Sequence, residues 1–464
     1  DISYIFRVAA INSEGTSVFS SATTPSYMPQ NPAATPPAPG TPSGVASNTQ
    51  VALSWSAPNM DGKAPLQNYA IYAAIGDSET FSEIVANTGS TTASYTVTGL
   101  TNASVYRFQV RGRNSAGLGQ FSPASYRYVP MTNATCSDRG QNAYLANCDL
   151  RNANLQNLDL SGANLTGARI QSTRFDQASL RGANLSYTIG NSTQFDRADL
   201  AGTDFTYNQS SSADFTEATF SGGGSGTKFN NASITSANFS LTSLSGVSFP
   251  GTVLNSSDLT GTDLTNADLR TATMQSVTLN HALLSGANFT EVNLSSAQLA
   301  STNVGTADFT GANLSNANLT ESTFNDSTLT GANLTNANLD YGHVDGLDLT
   351  TTNMYALKLR HGTMRDANVA GGTINSATIN YTDLSGTNFA GANLQSIGLT
   401  QVDLEDANFT GANLKYATLN SSDFSGADLE GADLSNAPLE SVRMCASTTL
   451  TSANMSSIYA PSSD

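Results

Sequence analysis

A chain of 464 residues exceeds one ordinary domain, so at least two units are expected. Only 12% of the residues are charged and the formal net charge is −17, which argues against a generic binder of nucleic-acid backbones, since that task needs a basic surface. No run of 18 apolar residues occurs, so no membrane-spanning helix is expected. Ser, Thr, Asn and Gly are plentiful, a composition that means either disorder or a repeat, and recurrence of apolar residues at a fixed period separates the two.

Residues 1–23 place Tyr4, Phe6, Val8, Asn12, Phe19 and Ser20 in an alternating pattern. Thr24 to Pro39 holds six prolines in 16 residues and reads as a stiff, semi-extended linker. From residue 40 to 131, short alternating runs are broken by Pro, Gly and Asn clusters, the pattern of an all-β sandwich. Val51, Leu53 and Trp55 share one strand face, as do Tyr69 and Ile71, Tyr95 and Val97, and Tyr106, Phe108 and Val110. The early Trp, Leu100 with Tyr106 six residues later, and the closing Asn114, Gly117, Gly119 and Ser122 resemble the fibronectin type III domain over about 90 residues. That resemblance puts a tyrosine corner on Tyr106. Shifted by 102, the six residues named in the first segment fall on Tyr106, Phe108, Val110, Asn114, Phe121 and Ser122. Residues 1–23 therefore resemble the last two strands of another such domain. A hairpin alone buries no core. Its missing strands lie upstream of this sequence or come from a neighbouring copy, in which case Tyr4, Phe6, Val8 and Phe19 are assembly contacts.

Residues 132–142 connect to the next unit. Cys136 and Cys148 are twelve apart, placed for a disulfide that staples the start of that unit and leaves Cys445 unpaired or paired with something outside this chain; the alternative is three separate buried thiols.

From Leu145 an apolar residue stands at nearly every fifth position through Leu150, Leu155, Leu160, Leu165 and Ile170 to Phe220. The phase slips at Gly222-Gly223-Gly224, resumes one residue early at Phe229 and runs to Met444; one residue is inserted near Cys445 before Leu450 and Met455. Ala usually stands two before each centre, Asn or Asp one before, and Ser or Thr one after, as in Ala163-Asn164-Leu165-Thr166 and Ala312-Asn313-Leu314-Ser315. This A-[DN]-L-[ST]-x pattern, in about 62 copies over 143–457, resembles the pentapeptide-repeat family. The resemblance implies a right-handed quadrilateral β-solenoid that turns a corner every five residues, with the centre and the small residue two before it pointing inward. Coils of about 20 residues stacked at about 4.8 Å would make about 15 coils and a rod of about 75 Å. Four sides predict that residues 20 apart share a face. Phe175, Phe195 and Phe215 do so, and so do Phe229, Phe249, Phe289, Phe309, Phe389 and Phe409, read as a phenylalanine column. Gly190 and Ser210 leave one face underfilled and, with the slip at 221–228, mark a bulge or protruding loop. Residues 458–464 are a tail.

No catalytic, cofactor or metal site is expected. His281, His343 and His361 are scattered over outward positions, and no serine joins a histidine and a carboxylate in a triad motif. Gly222 to Gly226 lacks the Lys-Ser pair of a phosphate loop. Asp258, Asp263 and Asp268 are candidates for calcium, with corner hydrogen bonding as the alternative. Of about nineteen N-x-[ST] sequons, Asn102, Asn133, Asn191 and Asn325 arise outside the plain repeat and are the better candidates for glycosylation. These features describe an all-β, non-enzymatic extracellular protein: a homopolymerising subunit of a surface filament, sheath or layer. A surface adhesin or glycan-binding stalk is the alternative. The repeat family also includes acidic DNA mimics that bind DNA gyrase, and the negative charge permits that reading.

Overall fold

A computed structural model describes residues 34–60, 64–76, 78–132, 136–220 and 226–458, together with residues 7, 9, 11–12, 15–17 and 20. Tyr4, Phe6, Val8, Phe19, Asn133 and Gly222 to Gly224 lie outside the described residues. The chain divides into two units, Asp1–Ala134 and Thr135–Asp464, and no described residue is helical.

In the first unit, strands β1 (Ile11–Asn12) and β2 (Gly15–Thr16) make a short antiparallel hairpin. After it comes the sandwich: β3 (Ser43–Ser47), β4 (Gln50–Ser54) and β7 (Ser94–Thr98) form one sheet in the order β3-β4-β7. β5 (Asn68–Ile75), β6 (Ser82–Val85), β8 (Tyr106–Asn114) and β9 (Gly117–Phe121) form the other, in the order β6-β5-β8-β9. The alternation read from the sequence places Val51, Leu53, Tyr69, Ile71, Val97, Phe108 and Val110 between the sheets, all essentially without exposure. Trp55 meets Tyr69 edge to face at 5.0 Å, the geometry that aromatic quadrupoles favour. The Thr101 N–H donates to Tyr106 Oη at 3.0 Å, the tyrosine corner. The proline-rich stretch is not spacer to its end: the Gln120 N–H donates to Pro36 O and Asn114 Nδ2 to Ala34 O. Gly119 permits this approach, because a Cβ there would stand 2.1 Å from Pro36 O.

In the second unit, parallel bridges join residues 20 apart, from Tyr144↔Asn164 through Asn154↔Arg174 to Asp423↔Arg443. Each coil therefore hydrogen-bonds to the one before and the one after it. The N–H of each centre bonds forward, as Leu145 to Asn164 O at 2.7 Å, and the next coil bonds back, as Asn164 to Ala143 O at 2.9 Å. Corners are β-turns closed by the small residue on the preceding centre, as Ala168 N–H to Leu165 O. The second corner residue has positive φ, met by Gly167 at 68° or Asn152 at 57°, as a type II turn requires. The Asn or Asp one before the centre has a distinct role. Its Oδ1 accepts the N–H two residues on, as Asn164 from Thr166 at 3.0 Å, and a Ser or Thr hydroxyl joins it, as Ser186 to Asn184 at 2.6 Å. The [DN]-L-[ST] consensus is thus a side-chain-closed turn repeated at each corner.

Two expectations change. The phenylalanines form two columns, not one. Phe175, Phe195, Phe215 and Phe239 stack at 5.2, 4.9 and 4.5 Å on one side, and Phe205, Phe229 and Phe249 stack at 4.7 and 5.0 Å on the opposite side. Across the core the columns meet edge to face, as Phe195 with Phe205 at 5.8 Å and Phe229 with Phe239 at 6.0 Å. Phe215 therefore continues into Phe239 and not Phe229, because the slip adds four residues to one coil. Asp204↔Lys228, Gln209↔Ser233, Asp214↔Asn238 and Thr219↔Ser243 all span 24. Thr227 closes the neck of this insertion, its Oγ1 donating to Leu200 O at 2.8 Å and Phe220 O at 3.1 Å. Nor is the face at Gly190 underfilled. A Cβ there would meet Ser210 Oγ at 2.6 Å, Thr193 Oγ1 at 2.8 Å and Ile170 at 2.9 Å, so glycine makes room for a polar layer in the core. Asn208 Nδ2 donates to Thr188 Oγ1 within that layer. A second insertion, of one residue, moves the spacing to 21 at Asp428↔Thr449.

Candidate functional site

Cys136 and Cys148 are joined by a disulfide, with Cα atoms 5.5 Å apart. Cys445 is free and exposed at the second insertion. The Ser447 hydroxyl, 2.9 Å from its sulfur, and the nearby backbone N–H groups pull this thiol down to about 6.

Asp258, Asp263 and Asp268 are five apart and so occupy three successive sides; they do not converge on an ion. Each spends Oδ1 on its own turn, with Thr260 N, Thr265 N and Arg270 N. Among the described residues no group of His, Cys, Asp and Glu is placed to hold a metal. Of the sequons, Asn102 bridges two loops, with Oδ1 accepting from Thr49 N and Nδ2 donating to Asn48 Oδ1, so a glycan on that nitrogen would break the bridge. Asn191 and Asn325 use only Oδ1, toward Ser211 N and Asp345 N.

The histidines are not all scattered. Tyr341, His361 and Tyr381 are 20 apart and stack as a surface ladder, with ring centroids 5.1 and 4.7 Å apart and planes within 12°. Tyr341 is 53% exposed and Tyr381 49%. All three occupy the corner position with positive φ, at 62°, 58° and 61°, where a bulky side chain costs about 1–2 kcal/mol relative to glycine. Beside them, His343 Nδ1 and Thr363 Oγ1 are 2.9 Å apart. Glycine replaces alanine at 342 and 362, and a Cβ on Gly362 would stand 2.3 Å from Gly342 O.

Each arginine here is held by an aspartate one coil earlier. Arg360 grips Asp340 through Nε and Nη2, and its own N–H bonds the same carboxylate at 3.0 Å. Arg365 holds Asp345 likewise, at 2.8 Å for both its N–H and Nη2. Burial works to raise the Asp340 pKa, but the hydrogen bonds and charge of Arg360 outweigh it and hold the group below the ordinary 3.8. A depressed carboxylate pKa stabilises above the unfolded value and loses that contribution as pH falls through the folded one. Asp340→Asn is therefore expected to melt below wild type at pH 7, with the gap closing as pH drops below 3.8. Paired thermal melts at pH 7 and pH 3 check this, and a gap that does not depend on pH would contradict it.

Residues 1–199 hold twelve Lys and Arg against twelve Asp and Glu, whereas 200–464 hold seven against 24. The whole net charge thus falls in the later part of the chain, and three of its seven cations, Lys358, Arg360 and Arg365, fall within the sequence span 341–381.

Comparison with known proteins fits these two architectures. The profile for pentapeptide repeats matches residues 143–182, 178–222, 237–275, 267–305, 307–340, 374–406 and 407–444, more than half of the sequence. The profile for the fibronectin type III domain matches 36–127. The chain belongs to the pentapeptide-repeat family and carries a fibronectin type III domain ahead of its repeats. Exoglucanase B of Cellulomonas fimi is 35% identical over 108 residues, 22% of this chain but only 9% of the exoglucanase, so this chain spans a small fraction of that relative. Among solved structures, HetL of Nostoc sp. strain PCC 7120, a pentapeptide repeat protein involved in heterocyst differentiation regulation, is 23% identical; the match covers 49% of this chain and 88% of HetL, with a TM-score of 0.22. QnrB1, a plasmid-mediated fluoroquinolone resistance protein, is 22% identical over 41% of this chain and 88% of its own, with a TM-score of 0.27.

The ladder was legible as a spacing. The three histidines show no cluster along the chain, whereas Tyr341, His361 and Tyr381 stand 20 residues apart and so share one column.

Proposed function

We propose that this chain is an extracellular structural protein, a subunit that assembles with copies of itself into a filament, sheath or layer at the cell surface. The observation that carries this reading is the Cys136–Cys148 disulfide, set where a sandwich module passes into a repeat array. Disulfides persist in oxidising compartments, outside the reducing cytosol. A backbone ladder renewed every 20 residues suits a load-bearing spacer, because each coil leans only on its neighbours. Fractionating the native cells and imaging the purified chain by negative stain tests it. Surface-associated protein that forms ordered polymers is the expected result; reduced cysteines in a cytosolic, monodisperse protein would end the proposal. A second reading, an acidic DNA mimic acting on gyrase, has the charge skew after residue 199 in its favour and the disulfide against it. Supercoiling by gyrase that proceeds unchanged with the purified chain present would dismiss it.

A further inference from the structure

We infer that the ladder Tyr341–His361–Tyr381 is a binding strip for an uncharged, extended polysaccharide lying across successive coils. The repeat profile passes over residues 341–373, yet the backbone there keeps its spacing, with Asn338↔Lys358, His343↔Thr363, Asp348↔Asn368 and Asn353↔Thr373 all bridged. The solenoid has kept its frame in this segment and changed its outward side chains. Elsewhere the corner position holds mostly Gly, Ser and Asn; here it holds three aromatic rings in a backbone conformation that disfavours them. Nothing inside the fold requires these rings, since they stand half exposed on the outside.

The chemistry selects the ligand class. Sugars are recognised by aromatic side chains and by hydrogen-bonding groups repeated at a fixed interval, and the strip offers stacked rings seen edge-on, with Tyr hydroxyls and an imidazole at successive rungs. Arg360 directly precedes His361 in the chain and Arg365 follows the next centre, and their guanidinium groups are bonded to Asp340 and Asp345. A guanidinium has five N–H donors, so Arg360 and Arg365 each keep donors that Asp340 or Asp345 does not use. The stacking interval, 5.1 and 4.7 Å, is close to the rise per sugar in an extended β-linked chain, so successive rungs would meet equivalent groups of successive sugars. Charge excludes the acidic alternatives. The residues after 199 carry 24 acids against seven bases, a field that repels a polyanion and leaves an uncharged chain unaffected.

The test uses the full chain. Retention on insoluble cellulose and chitin, and retardation in gels containing soluble mixed-linkage β-glucan or xylan, are measured beside alginate as the anionic arm. The comparison variant is Tyr341→Ser/His361→Ser/Tyr381→Ser. Ser301 and Ser421 already occupy this column with φ of 54° and 60°, so the corner accepts serine. Tyr381→Ser alone serves as a milder change, and Tyr187→Ser/Tyr207→Ser, which removes a stacked pair in earlier coils, serves as the control. The expected result is retention on at least one uncharged glycan, weakened tenfold or more by the triple variant, several-fold by Tyr381→Ser and not at all by the control. Retention on no uncharged glycan, retention on alginate alone, or equal retention by wild type and triple variant overturns the inference. If the triple variant changes sedimentation and leaves glycan retention unaltered, the strip is a contact between copies and the inference fails. The proposed structural role is judged separately, by polymer formation, and neither result decides the other.

Discussion

Phe215→Ala is expected to lower the unfolding free energy by about 3–5 kcal/mol, measured by urea denaturation. Phe215 is completely buried, stacked on Phe195 at 4.9 Å and Phe239 at 4.5 Å, and set edge to face with Phe205 and Phe229 at 5.9 and 6.0 Å. Removing the ring deletes apolar contacts on four sides. The cavity cannot collapse, because the coils above and below are pinned by backbone bonds such as Phe215 N–H to Asn238 O at 2.8 Å. The lesion also sits in the lengthened coil, beside the polar layer of Thr188, Asn208 and Ser210, where Asn208 Oδ1 and Ser210 Oγ are buried with no hydrogen-bonding partner among the described residues. Stability in a coil array is a sum of coil and interface terms. The transition is therefore expected to divide at this point, with earlier coils melting apart from later ones. A loss under about 1 kcal/mol, against that expected range, would mean that the columns contribute little.

Removing the disulfide with Cys136→Ser/Cys148→Ser is expected to cost about 3 kcal/mol, the loop-closure entropy of a ring of this size. The bonded residues are 12 apart. The effect should be local. Residues 136–148 begin the array, and they are tied to the following coil by backbone bonds such as Leu145 N–H to Asn164 O. Once the link is cut, amide exchange should accelerate over about the first coil and leave the coils after Phe175 unchanged. Uniform acceleration across the solenoid, or none, would contradict this account.

Much of the architecture could be read from the residues because its causes are local. A centre every fifth residue, Ala two before it and turn-closing Asn or Asp one before it report the corner directly, and Phe175, Phe195 and Phe215 report the four sides. The alternation in Val51-Leu53-Trp55 and Tyr106-Phe108-Val110 did the same for the sandwich. What escaped depends on register between coils. Between Phe220 and Phe229 the intervening spacing fits a repeat shortened by one or a coil lengthened by four, and the pairing between coils, such as Asp204 with Lys228 and Phe205 with Phe229, decides between them. Gly190 reads as missing volume in a run of centres, although the volume is supplied by Ser210 and Thr193 from elsewhere in the stack. The aromatic ladder escaped for the same reason: its members are neighbours in the stack and distant along the chain.

The Thr227 closure has a consequence for how such arrays change over time. The Thr227 hydroxyl fastens the returning chain to Phe220 O, so departure and return of the added segment lie side by side and the coils on either side keep their bonds. Phe220 and Thr227 already stand together, so lengthening the sequence between them is expected to cost only about 0.6 kcal/mol for each doubling of length. The solenoid thus holds a built-in graft point. A peptide tag or a small folded module spliced there is expected to leave the coils on either side bonded, and natural sequence drift has the same freedom at that point.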